Sequence, residues 1–142
     1  MKTVAIYLAA GTSRRMGTDK RSLLLNGVSL GSLALKNALL SKLDHIFVIT
    51  RKGDSLHWLS AFFFLYPMSN KWSQVECEQA GNGQGRSIQC GLKRALEYEA
   101  DAVIILLADQ PFVTTDIINT LIDSYQREHH YSFIAAENQQ LP

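Results

Sequence analysis

Three stretches of this chain carry residue types that can do chemistry on a phosphate-bearing ligand. The first is Leu8-Ala9-Ala10-Gly11-Thr12-Ser13-Arg14-Arg15-Met16-Gly17-Thr18-Asp19-Lys20. The small residues Ala9, Ala10 and Gly11 let a ligand come close to the backbone, and Gly17 permits a positive φ. Thr12 and Ser13, with their backbone amides, are suitable donors to phosphate oxygens. Arg14, Arg15 and Lys20 add fixed positive charge. One such charge about 4 Å from a phosphate is worth about 4 kcal/mol before desolvation, at an effective dielectric of about 20. The loop is not a Walker A loop, because no Gly-Lys-Ser/Thr follows, and it is not the dinucleotide G-x-G-x-x-G. The bland alternative is a solvated basic loop.

The second stretch, Leu106-Leu107-Ala108-Asp109-Gln110-Pro111, sets a carboxylate at the end of an apolar run. A charge there costs desolvation energy unless it is solvated, hydrogen-bonded or bound to a cation. Asp109 is therefore a candidate Mg²⁺ ligand, since magnesium takes one or two carboxylates plus phosphate oxygens and water. A plain Asp cap of the following turn competes with that reading. The third stretch, Gly81-Asn82-Gly83-Gln84-Gly85-Arg86-Ser87-Ile88, is glycine-rich and leads into a helix, where Ser87 fits an N-cap equally well. No histidine pair has metal-ligand spacing. His129 and His130 fall near a helix end, where imidazolium suits the dipole. Asp54 and Asp101 read as solvated surface charges.

The elements that must position these residues alternate. Val4 to Leu8 reads as a buried strand, and Leu30 to about Leu40 as a helix with Leu30, Leu33, Ala34 and Ala38 on one face. Ile46 to Ile49 is a second strand. Leu56 to Tyr66 reads as a helix with Leu59, Phe62, Phe63 and Tyr66 on one side, stopped by Pro67. Its aromatic residues are expected in the core, with a stacking platform for a base as the alternative. Val75 to Gln79 is a weak strand and Ser87 to Glu97 a helix. Val103 to Leu107 is apolar throughout, as expected when both sheet faces are covered. Thr114 or Thr115 then caps a helix with the stripe Ile117, Ile118, Leu121, Ile122 and Tyr125. Tyr131 to Ala136 reads as the start of another strand. Such alternation indicates an α/β fold, a Rossmann-like three-layer αβα arrangement around a mainly parallel sheet. Ligands then sit beyond the carboxyl ends of the strands, at 9–20, 50–54, 80–87 and 108–111.

At 142 residues and 46% hydrophobic, the chain suits one domain over 1–142. Its 14 basic and 13 acidic side chains leave a net charge of +1, which gives no electrostatic case for nucleic acid or an anionic membrane. Phosphate binding must then be local to a loop. Cys77 and Cys90 lack C-x-x-C spacing, and reduced thiols are favoured over a disulfide. With no signal-peptide pattern and no apolar run long enough to cross a bilayer, a soluble cytoplasmic chain is expected.

The first stretch resembles the L-A-[AG]-G-x-S-x-R-M-G-x-x-K signature of the nucleotidyltransferases that attach CMP or GMP to molybdopterin. That family includes MobA-like proteins, cytidylyltransferases and accessory proteins of purine catabolism that serve xanthine dehydrogenase, on a fold of the nucleotide-diphospho-sugar transferase type. Ala-Asp-Gln-Pro resembles the family's G-D-[MQ]-P motif, and Ser87 fits its G-x-x-x-S-[LI] segment. The resemblance implies that Leu8 to Gly11 meet base and ribose, that Arg15 and Lys20 contact the triphosphate, that Asp109 holds Mg²⁺, and that Ser87 helps select the base. Ala10 resembles the cytidylyl branch, which favours CTP over GTP. The family normally continues further, with a G-H-P segment and a second acidic residue, so the expectation is a C-terminally shortened chain.

The function expected is Mg²⁺-dependent transfer of CMP, or less favourably GMP, to a molybdopterin-type acceptor with release of pyrophosphate. It would support a xanthine-dehydrogenase-type molybdenum hydroxylase as the dependent partner. A non-catalytic accessory protein that binds nucleotide or cofactor, and a sugar-nucleotide pyrophosphorylase, stand as alternatives. A phosphoacceptor receiver domain would need acidic residues where this chain has Ala9-Ala10-Gly11.

Overall fold

The computed structural model describes residues 1–11, 19–78 and 83–128. Thr12, Ser13, Arg14, Arg15 and Gly17 lie outside these residues, as do His129, His130 and the strand expected at Tyr131 to Ala136.

The core is a four-stranded parallel sheet. Strand β1 (Thr3–Leu8) is followed by a hairpin of β2 (Leu24–Leu25) and β3 (Val28–Ser29), helix α1 (Leu30–Leu39) and strand β4 (His45–Arg51). Strand β5 (Trp72–Cys77), helix α2 (Gln84–Glu97), strand β6 (Ala102–Leu107) and helix α3 (Thr115–Glu128) complete the order. The strands lie in the order β5-β4-β1-β6, with Val4 opposite His45 on one side and Val103 on the other. Every residue of β1 is buried because each face is covered. Val4, Ile6 and Leu8 pack with Ala95 of α2, whereas Ala5 and Tyr7 pack with Leu35 of α1 and with Ile118 and Ile122 of α3. A side-chain period of two thus feeds both layers, which is why β1 reads as an unbroken apolar run. The three-layer α/β expectation holds.

Local chemistry explains several boundaries. Asn26 and Gly27 both take positive φ, at 54° and 83°, as a tight hairpin turn requires. Ser29 accepts from the Ser32 amide and so starts α1. Thr114 Oγ1 accepts from the Ile117 amide and starts α3. Helix α2 crosses β1 at Gly91, where an added Cβ would lie 2.5 Å from Ile6 Cγ2.

Four expectations are corrected. Residues 56–66 form turns and a short 3₁₀ helix, Ala61–Phe64, rather than an α-helix. Leu56 sits at φ 62° and the Asp54 carboxylate accepts from both its amide and Trp58 Nε1, which organises the segment around a side chain instead of an i→i+4 ladder. Leu59 and Phe63 are buried there, while Phe62 and Tyr66 are exposed. Strand β6 pairs only with β1 among the described residues, and Ile105 is 46% exposed. Coverage of both its faces was expected from its apolar run, but among the described residues it is only partly covered, because apolar composition does not encode what packs on each face. Cys77 and Cys90 form a disulfide with their Cα atoms 6.2 Å apart, since α2 packs back across the end of β5. Asp54, expected in solvent, has a side chain only 7% exposed, paired with Arg21.

Candidate functional site

A cleft of about 340 Å³ opens beyond the carboxyl ends of β1 and β6. It is lined by Leu8, Ala9, Ala10, Gly11, Asp19, Lys20, Arg21, Arg51, Gly83, Gln84, Ser87, Leu107, Ala108 and Asp109. All the site residues singled out in the sequence that fall among the described residues are therefore in one place: Leu8 to Gly11, Lys20, Ser87 and Asp109.

The end of β1 forms the floor. The Ala9 amide donates to Ile49 O and the Ala108 amide to Leu8 O, so β1 is clamped by its neighbours one residue past its last ladder position. Lys20 opens a short 3₁₀ turn, Lys20–Ser22, which Asp19 caps by accepting from the Arg21 amide. Ser87 is 3% exposed and sits inside the first turn of α2. The N-cap of that helix is Gly83 at φ 110°, so the N-cap reading of Ser87 is corrected and its place on the cleft wall remains. Asp109 is exposed beside the turn in which the Gln110 amide donates to Leu107 O.

Arg21 was not anticipated. Its Nε and Nη2 donate to the two oxygens of Asp19, at 2.9 and 2.6 Å, and its Nη1 to Asp54 Oδ2 at 2.5 Å and Ala9 O at 2.6 Å. The guanidinium also lies over the Trp58 ring, 5.0 Å from its centroid. One planar fork thus ties the end of the phosphate loop, the end of β1 and the turn after β4 together. Hydrogen bonding from Arg21 holds the Asp19 carboxyl below the usual carboxylate range. For Asp54 burial pushes upward, but the Leu56 amide and Arg21 outweigh it and hold the group low as well. Arg51 Nε donates to Ala10 O at 3.0 Å, closing the other side. Beneath the floor, Tyr7 donates its hydroxyl to Gly31 O at 2.5 Å, and burial pushes its pKa up, so the phenol stays neutral. Arg21 falls just past the 9–20 window, and Asp54, inside the 50–54 window, was read only as a surface charge; their pairing spans 33 residues. Arg51 fell within the strand-end window at 50–54 without a role.

Arg21 is matched by Asp19 and Asp54, and Lys20 and Arg51 also line the cleft. Among the described residues no group of three His, Cys, Asp or Glu side chains is arranged to hold a metal. Asp109 nevertheless fits a magnesium ion that takes its remaining ligands from phosphate and water, being exposed on the cleft and hydrogen-bonded to no described side chain. The aromatic side chains of residues 56–66 do not line the cleft.

Residues 5–142 match the model of the MobA-like NTP transferase domain. The chain belongs to that family. It is 44% identical over 120 residues to the purine catabolism protein PucB of Bacillus subtilis (strain 168), covering 84% of this chain and 58% of PucB. A probable molybdenum cofactor guanylyltransferase of Natranaerobius thermophilus is 24% identical over 124 residues, covering 87% of this chain and 55% of that protein. The chain thus spans little more than half the length of these curated relatives. The fold matches that of a CMP:2-keto-3-deoxy-manno-octonic acid synthetase solved with CTP, with a TM-score of 0.67 at 20% identity, over 92% of this chain and 49% of that one. The two chains therefore share the same α/β fold. Among the described residues no helix is long and apolar enough to cross a membrane.

Proposed function

We propose that this chain carries the nucleotide site of a MobA-like nucleotidyltransferase acting on the molybdenum cofactor, with CTP as the favoured donor. The observation that carries the reading is the convergence of Leu8 to Gly11, Lys20, Ser87 and Asp109 on one cleft at the strand ends. The 44% identity to a purine catabolism protein supports a role in maturing a molybdenum hydroxylase of the xanthine-dehydrogenase kind.

In this reading Leu8 to Gly11 and Ser87 hold the nucleoside, and Lys20, with Arg15 of the adjoining loop, holds the triphosphate. Thr12 and Ser13 would donate to phosphate oxygens, Arg14 would add positive charge, and Gly17 would permit the loop to turn. A terminal phosphate oxygen of a molybdopterin-type acceptor attacks the α-phosphorus in line. The new P–O bond forms as the bond to the bridging oxygen breaks, and pyrophosphate leaves with that electron pair. Positioning and charge neutralisation suffice, without a covalent intermediate. Asp109 would hold Mg²⁺ together with phosphate oxygens, which neutralises charge on the departing pyrophosphate.

The test is the shift in thermal midpoint of the 142-residue chain with CTP, GTP, UTP and ATP, with and without Mg²⁺. Ligand at a hundredfold excess over its dissociation constant stabilises the folded state by about 2.7 kcal/mol. Asp109→Asn should leave the ligand-free midpoint within what about 0.5 kcal/mol produces, because the side chain is exposed. The same variant should lose the magnesium-dependent part of the CTP shift. A folded chain that no triphosphate stabilises would sink the reading; an unchanged magnesium response in the variant would remove Asp109 as the metal ligand.

A further inference from the structure

Asn37 stands in α1 four residues after Leu33 and three after Ala34, on the flank of that helix's apolar stripe, and is half-buried. Asparagine is a poor helix former, so its place there calls for a partner outside the helix. That partner is the segment that carries Asp109. Asn37 Nδ2 donates to Pro111 O at 2.8 Å, and Thr115 Oγ1 donates to Asn37 O at 2.8 Å. At its other end the segment is held by the Ala108 amide, which donates to Leu8 O at 3.1 Å. Asp109 thus lies between two anchors, one on β1 and one on α1. The ring of Pro111 locks its φ and restricts Gln110 before it, so little torsional freedom separates the held carbonyl from Asp109. Strand β6 pairs on one side only among the described residues, which leaves the bond from α1 to fix the far half of the turn. Helix α3 has other attachments: Asn119 Oδ1 accepts from the Lys42 amide at 2.8 Å, and Ile118 and Ile122 are buried in the core that α1 shares.

We propose that Asn37, seconded by Thr115, is a positioning residue that fixes the Asp109 turn from outside the cleft, so that the carboxylate meets a divalent cation held by the nucleotide's phosphates. The proposal rests on Asp109 being the metal ligand of the nucleotide site. Asn37 does not line the cleft, so it acts through the backbone of Pro111. An outer hydrogen bond of this kind orders a ligand in advance, and the ordering need not be supplied when the cation arrives.

The experiment is titration calorimetry of the 142-residue chain with CTP and with GTP, each in EDTA and in saturating magnesium chloride, with thermal midpoints taken alongside. The variants are Asn37→Ala, Asn37→Gln, Thr115→Val, Asp109→Asn and the Asn37→Ala, Asp109→Asn double variant. For whichever nucleotide wild type binds more tightly, magnesium should raise the affinity. Asn37→Ala should cut that enhancement by about tenfold, the low end of what outer partners of a metal site contribute, or abolish it. Its affinity in EDTA should stay within about twofold of wild type, as for a substitution that touches no ligand. Asn37→Gln, which keeps an amide donor, should recover part of the enhancement. Thr115→Val breaks the clamp from its other end, should act in the same direction, and carries the test should Asn37→Ala not fold. In Asp109→Asn, where the magnesium response is already lost, adding Asn37→Ala should change affinity no more in magnesium than in EDTA. A variant weakened by one factor with and without magnesium, or one that keeps the full enhancement, would overturn the proposal and leave the nucleotide and metal readings standing. A magnesium response that survives in Asp109→Asn would instead remove Asp109 as the ligand, and the proposal with it. Failure of wild type to bind either triphosphate would overturn the nucleotide-site reading itself together with the proposal.

Discussion

Gly91→Ala puts one methyl group where α2 crosses β1. The new Cβ would lie 2.5, 2.9 and 3.0 Å from Cγ2, Cγ1 and Cδ1 of Ile6. Ile6 is fully buried in the central strand and has nowhere to go. Overpacking of this kind costs about 1–3 kcal/mol, and three simultaneous overlaps against an immobile side chain place it near the upper end. Alanine in a helix interior returns about 1 kcal/mol of propensity. The net expectation is a loss of about 2 kcal/mol, or roughly 6–8 °C in thermal midpoint for a chain of this size. Ser87 lies one helical turn upstream on α2 and lines the cleft, so nucleotide affinity should fall along with stability. The assay is thermal and denaturant unfolding of wild type, Gly91→Ala, Ile6→Ala and the double variant. Ile6→Ala alone should cost about 2–5 kcal/mol through its cavity. In the double variant the overlap is gone, so the two costs should fall short of their sum by at least about 1.5 kcal/mol. A single variant as stable as wild type, or a cycle that is additive, would refute the packing account of how α2 is held against the sheet.

Two further outcomes follow from the described contacts. Reducing the Cys77–Cys90 disulfide, which closes a loop with a sequence separation of 13, should lower stability by about 3 kcal/mol by freeing the unfolded chain; a denaturant midpoint that reductant leaves unchanged, or that moves equally in Cys90→Ser, would count against the bridge. Asp19 and Asp54 are held below the ordinary carboxylate range, so the stability they contribute is complete above about pH 4–5 and is lost as the pH falls through their lowered values. Acid unfolding curves should accordingly flatten in Asp54→Asn, where less is left to lose; an unchanged acid limb would mean that the Arg21 pairing adds nothing.

Much of the fold was legible before any coordinates. The unbroken apolar run of β1, the 3.6-residue stripes of α1, α2 and α3, and the strand and helix alternation determined the class, because local period reports how many faces an element buries. The placement of Leu8 to Gly11, Lys20 and Asp109 at strand ends was legible for the same reason, since a parallel sheet puts all its carboxyl ends on one side. What depended on neighbours distant in sequence was not. Apolar composition made Val103 to Leu107 look covered on both faces, but coverage is set by neighbours, and β6 pairs with β1 alone among the described residues and leaves Ile105 46% exposed. The aromatic spacing of 56–66 looked helical until the Asp54 carboxylate captured the Leu56 amide. Cys77 and Cys90 carried no spacing signal, yet the crossing of α2 over the end of β5 brings them within bonding reach. Arg21 and Asp54, 33 residues apart, found each other in the same way. Sequence alone determined which residues are small, charged or apolar and in what rhythm. Tertiary structure decided which distant polar groups share a low-dielectric space, and so which arginine holds which carbonyl.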